Sequence, residues 1–127
     1  ENIEIMNFPD IEIYIKNLRV KEINIWLDKL FEVGLISQIG SATLVHLRDS
    51  ESEFECRIIE NAADPNFTSI YFSPNKTKWE TDLDCAKDAF SHFQLEVRCA
   101  TSGWSENSQE EEDWFKINSE GTHRIKW

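Results

Sequence analysis

Hydrophobic and polar positions alternate near the start of the chain and then change their period. Ile11, Ile13 and Ile15 alternate with more polar residues, which is the period-two pattern of a strand with one buried face. From Val20 onward the apolar residues fall at helical spacing, at Ile23, Trp26, Leu27, Leu30 and Phe31. We therefore predict a strand followed by a helix, and we expect the helix to end at Gly34 because glycine commonly follows a helix.

Three strands are predicted between this helix and the next. Residues 42–48, 53–58 and 67–73 are rich in β-forming or alternating residues. The polar residues 49–52 predict a hairpin turn, and residues 61–66, which contain Asp64-Pro65, predict a loop.

The second helix has a recognisable start. Thr81 followed by Asp84 resembles a capping box, and Asp82 favours the first turn through the helix dipole. Its apolar stripe consists of Leu83, Ala86, Phe90 and Phe93.

The C-terminal part of the chain predicts three further strands. Residues 95–99 alternate and predict a short strand, whereas residues 100–109 are polar and predict a loop. Residues 114–118 and 122–127 flank a turn at 119–121 and predict a terminal hairpin.

The predicted order is β-α-β-β-β-α-β-β-β, without internal repeats. This order lacks the regular alternation of a doubly wound fold, so we predict an α+β fold: a largely antiparallel sheet with two helices packed on one face. The specific prediction is a ferredoxin-like split βαβ core plus the C-terminal hairpin. A chain of 127 residues fits a single α+β domain over 1–127, in which residues 1–5 form a flexible or non-native extension.

Charge restricts the class of partner. The chain has 24 acidic and 13 basic residues, a formal net charge of −11 at pH 7, and the acids gather at 49–60, 80–88 and 106–113. Such a charge repels phosphate, which argues against direct binding to nucleic acid or to an anionic membrane and favours a basic protein partner. The alternative explanation is that the acidity serves solubility.

The sequence has no specific catalytic or cofactor motif. Its four glycines are isolated, so no phosphate-binding loop is predicted. Cys85 could act as a nucleophile beside a histidine, but it lies next to an apolar stripe, which favours a structural role. Asp84, Asp88 and His92 are spaced four apart and could bind a cation, yet a solvated helix face is the better interpretation. We predict no catalytic residue, metal or cofactor.

Cysteine usage bears on the compartment. Cys56, Cys85 and Cys99 are odd in number, lack CxxC spacing and lie in apolar patterns, as expected for buried thiols in a reducing cytosol. The first residues lack a signal-peptide pattern, and no apolar stretch has the length of a membrane span. We therefore predict a cytoplasmic protein.

Rows of carboxylates and loop tryptophans give the predicted partner site. Two carboxylates placed two residues apart on a strand lie roughly 6.6–6.8 Å apart on one face, where they form a fixed negative row. Indole rings in loops would supply contact area. The predicted partner-binding residues are Glu53, Glu55, Trp104, Glu110, Glu111, Glu112 and Asp113.

In size, acidity and α+β pattern the chain resembles bacterial immunity proteins and phage-encoded inhibitors that block basic nucleases. The resemblance, which covers composition alone, implies a non-enzymatic binding protein that neutralises a basic protein partner. The alternative is a small-molecule-binding or catalytic domain with a pocket between sheet and helices, lined by Trp26, Tyr71, Trp79 or His46. A homodimer formed through a sheet edge is a third possibility.

Overall fold

The computed structural model describes residues 8–101 and 113–127. Within them the chain forms two helices and one antiparallel sheet of eight strands, which confirms the α+β class and gives a larger sheet than predicted. The elements are β1 (Ile11–Lys16), α1 (Val20–Leu30), β2 (Glu32–Ile39), β3 (Ala42–Asp49), β4 (Ser52–Ala63), β5 (Phe67–Ser73), α2 (Asp82–Phe93), β6 (Val97–Ala100), β7 (Asp113–Asn118) and β8 (Gly121–Lys126).

Strand β1 lies inside the sheet and pairs with a neighbouring strand on each side. This position buries its isoleucines. The order across the sheet is β2-β3-β4-β5-β1-β6-β7-β8. Strands β2 to β5 form successive hairpins that run from one edge to the side of β1, and β6 to β8 continue to the other edge. The ferredoxin-like arrangement is not confirmed, because the strand that follows α1 lies at the edge, with β3, β4 and β5 between it and β1.

One face of the sheet is apolar and packs against both helices. Ile13 lies opposite Ile70, and Ile70 lies opposite Ile58, so the buried positions of neighbouring strands share this face. The helices add Ile23, Trp26, Leu27, Cys85, Ala86 and Ala89 to the same core.

The start of α2 is the one that the sequence predicts. Thr81 Oγ1 accepts a hydrogen bond from the backbone N–H of Asp84 at 3.2 Å. The Asp84 carboxylate accepts from the N–H of Glu80 at 3.3 Å, one residue before the position that closes a capping box. Neither described helix is long and apolar enough to cross a membrane.

Strand β2 was not predicted, and the predicted end of α1 at Gly34 is wrong. The helix ends at Leu30, and Phe31 is already extended (φ −140°, ψ 172°), so the chain passes from helix to strand without a glycine. A register shift between Val33 and Ile36 breaks the period-two alternation that would have indicated the strand.

The boundary of β4 also differs from the prediction. The strand continues to Ala63, so the predicted loop over residues 61–66 is reduced to a turn at 64–66 before β5 begins. The extension brings Ala63 opposite Phe67.

Candidate functional site

Within the described residues, no helix covers the second face of the sheet, which we call the open face. Glu12 and Tyr14 lie on it because they alternate with the buried isoleucines of β1. The strand register places Tyr71 opposite Glu12 and Arg57 opposite Tyr71, so the open face continues across β5 and β4.

Four aromatic side chains gather at one end of the open face, and we call them the aromatic cluster: Tyr14, Phe67, Trp114 and Trp127. Three sheet strands and the residue after β8 bring them together. Trp127 contacts the other three rings. Its ring centroid lies 4.8 Å from that of Phe67, 4.9 Å from that of Trp114 and 5.5 Å from that of Tyr14. Phe67 is fully buried and contacts the ring of Trp127.

A cleft of about 360 Å³ opens beside this cluster. It is lined by Tyr14, Trp114, Trp127, Ala63 and Asp64. Three rings, one small side chain and one carboxylate therefore face the same space.

Arg98 packs against the aromatic cluster from within the sheet. Its guanidinium carbon lies 4.7 Å from the Phe67 centroid and 4.6 Å from the Trp127 centroid, distances typical of cation–π contacts. Arg98 Nε also donates to Glu96 Oε2 at 2.7 Å, and both side chains are largely shielded from solvent. The ring faces of the cluster thus already accommodate one cation.

Two tyrosines of the open face, Tyr14 and Tyr71, have carboxylates as neighbours. Tyr71 donates its hydroxyl hydrogen bond to Asp10 Oδ2 at 2.8 Å, and this bond is the main cause that raises the pKa of Tyr71. Burial, followed by the charge of Glu12, raises the pKa of Tyr14. Both phenols remain protonated at neutral pH, so they act as hydrogen-bond donors rather than bases.

The other end of the open face carries charges from β3 and β4. Glu53 accepts from Arg48 Nη2 at 2.8 Å and lies 3.2 Å from His46 Nε2. Glu55 lies opposite His46 and makes no ion pair within the described residues. A cleft of about 320 Å³ lies here, lined by Leu35, Ser37, Leu44, His46 and Glu55.

The structure does not bring all the predicted partner-binding residues together. Glu53 and Glu55 lie on β4, whereas Asp113 lies on β7, four strand spacings away, or about 19 Å. Asp113 accepts from Lys126 Nζ at 2.6 Å and lies 3.5 Å from Arg124, and the hydrogen bond to Lys126 is the main cause that lowers its pKa. Trp104, Glu110, Glu111 and Glu112 lie outside the described residues.

Several acids of the predicted clusters have structural partners. Glu60 accepts from the N–H of Val20 at 2.9 Å and so caps α1. Asp88 accepts from the indole N–H of Trp79 at 2.9 Å and lies 3.6 Å from Lys78 Nζ. Asp84 at the start of α2 and Asp88 therefore both have structural contacts. Part of the acidic cluster at 80–88 thus serves the fold rather than binding.

Asp82, at the first position of α2, is the one buried carboxyl of the described chain. It is 8% exposed and accepts from the N–H of Glu12 at 3.0 Å. Burial, with a smaller contribution from the charges of Glu12 and Asp10, raises its pKa to about 7. It lies on the helix-covered side and lines none of the clefts described above.

The residues proposed for a pocket between sheet and helices do not line one cavity. Trp26 and Trp79 stack in the core with centroids 5.7 Å apart, whereas Tyr71 and His46 lie on the open face. The three thiols are also buried: burial raises the pKa of Cys56 and Cys85, and it raises that of Cys99 to about 12. A buried thiol of high pKa is a poor nucleophile.

Sequence reasoning missed the aromatic cluster. Its local signals were Tyr14, on the polar side of the first alternating strand, and Trp127, at alternate spacing from Ile125. Neither signal shows that the two residues meet, because β1 and β8 are distant in sequence and are separated by β6 and β7 in the sheet.

No protein-family model matches the chain, and the comparisons with curated proteins and with solved structures give no significant match. The open face must therefore be interpreted from its own chemistry.

Proposed function

We propose that the protein is a non-enzymatic binding protein that neutralises a basic protein partner, in the manner of an immunity protein or inhibitor. The observation that supports this most is the open face: both helices pack on one side of the sheet, and the other side presents tryptophan, tyrosine and arginine beside carboxylates. Residues of these types dominate the binding energy of protein interfaces.

Charge selects the kind of partner. The net charge of −11 attracts basic proteins over long range and speeds their association. Six of the 24 acids and none of the 13 basic residues lie outside the described residues, so the segments at 1–7 and 102–112 account for six of these negative charges. Glu55, without an ion pair in the described chain, is available to a cation of the partner.

The aromatic cluster would supply most of the affinity. Trp114, Trp127 and Tyr14 are partly exposed and contact one another, and Trp127 also contacts the buried ring of Phe67. Rigid aromatic side chains lose little conformational entropy on binding, and partly buried rings become hot spots when a partner excludes water from them. The proposed contact residues are thus these rings together with Glu53, Glu55, Trp104, Glu110, Glu111, Glu112 and Asp113.

The three free, buried thiols support a site of action in a reducing compartment. We include a cytoplasmic location in the proposal on this ground.

The proposal is tested by capturing partners from the native host on the immobilised protein at low and moderate salt. We expect a basic protein that is released as salt rises, and we expect Trp127→Ala to weaken its binding about tenfold. Glu53→Gln with Glu55→Gln should slow association, whereas the matched double variant Asp28→Asn with Glu120→Gln, at exposed positions on α1 and in the β7–β8 turn, should not. Recovery of no basic protein at either salt concentration would contradict the proposal.

A second candidate function is homodimerisation through β2, favoured by the apolar character of that edge. Leu35, Ile36 and Ile39 are 75%, 45% and 62% exposed. Glu32 is the sole charged residue of β2, so antiparallel pairing of two copies keeps the two like charges at opposite ends. The other edge, β8, carries Arg124 and Lys126, which protect an edge strand from pairing.

Sedimentation equilibrium tests this second candidate directly. We expect a monomer–dimer equilibrium that Leu35→Lys abolishes. Burial of the leucine side chain in the dimer interface is favourable, whereas burial of a lysine ammonium there costs free energy. A monomer at every protein concentration would rule it out.

A further inference from the structure

Three rings of the aromatic cluster stand nearly perpendicular to one another. The interplanar angle is 76° for Tyr14 and Trp114, 90° for Tyr14 and Trp127, and 78° for Trp114 and Trp127. The centroids are separated by 5.7, 5.5 and 4.9 Å in the same order. All three rings line the cleft of about 360 Å³.

This arrangement matches the geometry of a cation held by three ring faces. A cation that lies about 4 Å in front of each of three perpendicular rings requires centroids about 5.7 Å apart, and attraction extends to about 6 Å from a centroid. The two separations from Tyr14 lie within about 0.2 Å of that value, and the Trp114–Trp127 separation is about 0.8 Å shorter. The three rings can therefore form three walls of one small cationic site.

The remaining lining suits a cation as well. Asp64 is the one charged side chain in the lining of this cleft, and its carboxylate has no ion pair within the described residues. Ala63, with its small side chain, leaves room for a ligand. Arg98 is already stacked on Trp127, and the 2.7 Å bond to Glu96 balances its charge.

The chemistry of the lining also indicates which kind of cation would bind. A primary ammonium is strongly hydrated and needs three hydrogen-bond acceptors, whereas the cleft offers one carboxylate and three aromatic walls. A quaternary ammonium has no N–H groups and presents methyl groups of diffuse positive charge to ring faces. The lining thus favours a methylated ammonium over lysine.

We propose that Tyr14, Trp114 and Trp127, with Asp64, form an aromatic cage for a quaternary ammonium group. The group could belong to a trimethylated lysine or to a choline headgroup, which share this chemistry. The inference goes beyond the proposed function, since small ligands test it without any protein partner.

The test is a titration of the whole chain with choline, N-trimethyllysine and phosphocholine, followed by NMR of the tryptophan indole N–H signals. We expect saturable shifts of the Trp114 and Trp127 signals, assigned through Trp114→Phe and Trp127→Phe, and no shift of the core signal of Trp26. The neutral isostere 3,3-dimethylbutanol should bind at least about tenfold more weakly than choline, because it lacks the charge. Tighter binding of N-trimethyllysine would indicate a protein source, and tighter binding of phosphocholine a lipid source; either order supports the cage.

Variants separate the cage from general loss of structure. Asp64→Asn should weaken choline several-fold, whereas Glu120→Gln, an exposed acid in the β7–β8 turn, should not. Trp114→Leu should abolish binding and Trp114→Phe should retain part of it, with the indole N–H signal of the core residue Trp26 unchanged in both variants. Equal affinity for choline and its neutral isostere, or no saturable shift with any of the three cations, would overturn the proposal whatever the outcome of partner capture.

Discussion

The two faces of the sheet are built from different side chains and hold different kinds of contact. The helix-covered face places Ile13, Ile70 and Phe72 in one fully buried core, where removal of apolar area from water stabilises the fold. The open face instead carries nearly perpendicular aromatic rings, ion pairs and clefts that remain in contact with solvent. Buried apolar contacts are therefore concentrated on one face, and most side chains of the other face remain accessible to solvent.

The largest expected effect comes from truncating a core side chain. Phe72 is fully buried among Phe31, Phe54 and Trp79, with ring centroids 6.2, 6.5 and 5.3 Å away. We expect Phe72→Ala to lower the free energy of unfolding by about 3–5 kcal/mol, because it removes apolar contacts and leaves a cavity. Trp127→Ala, on the open face, should cost about 1–2 kcal/mol.

Urea denaturation of both variants measures this contrast between the faces. A loss for Trp127→Ala equal to that for Phe72→Ala would show that the open face is also a stabilising core, and the division between the faces would be wrong.

The covered face is accessible to sequence reasoning because its pattern is local. The isoleucines of β1, the helical spacing from Ile23 to Leu30 and the Thr81 cap each act over a few residues, and the structure has the elements that they predict. The unpredicted β2 lies at an edge with exposed apolar residues, where burial imposes no alternation.

The open face is less accessible because its sites depend on strand order. The aromatic cluster combines residues from β1, β5, β7 and the residue that follows β8, and no local pattern shows that side chains from these strands meet. Conversely, the sequence predicts one site for Glu53 and Asp113 because both are acidic. In the structure they lie on distant strands, and each has its own cationic partner.

A smaller effect concerns Asp82, the one buried carboxyl among the described residues. The pKa of Asp82 is raised from 3.8 to about 7 in the folded chain, so between these pH values the native state holds a proton that the unfolded state releases. Stability from this group is therefore present below about pH 4 and falls as pH rises to 7. Asp82→Asn keeps an acceptor for the Glu12 N–H and removes the charge, so we expect about 2 kcal/mol more stability at pH 8.

Thermal unfolding from pH 4 to 8 checks this expectation, with Asp84→Asn as a control that makes the same charge change at an exposed position in the same turn. Asp10 and Glu12 both act on Asp82, so the wild-type profile includes their charges, and the difference between wild type and Asp82→Asn isolates the buried group. If Asp82→Asn destabilises the chain at pH 8, the carboxylate is stabilised in its ionised form and the assigned direction is wrong.

The smallest expected effect on stability is that of Glu53→Gln at the charged end of the open face. The ion pair of Glu53 with Arg48 is about half exposed on both sides, and such pairs contribute little because solvent screens them and ordering both side chains costs entropy. We therefore expect urea denaturation to show a change below about 0.5 kcal/mol. The conservative Arg48→Lys should be equally mild and keeps the positive charge, whereas Glu53→Gln removes a negative charge that a basic partner would meet. If Glu53→Gln lowered the free energy of unfolding by more than about 1 kcal/mol, the ion pair would be an important contributor to stability. The carboxylates of the open face would then serve stability rather than recognition.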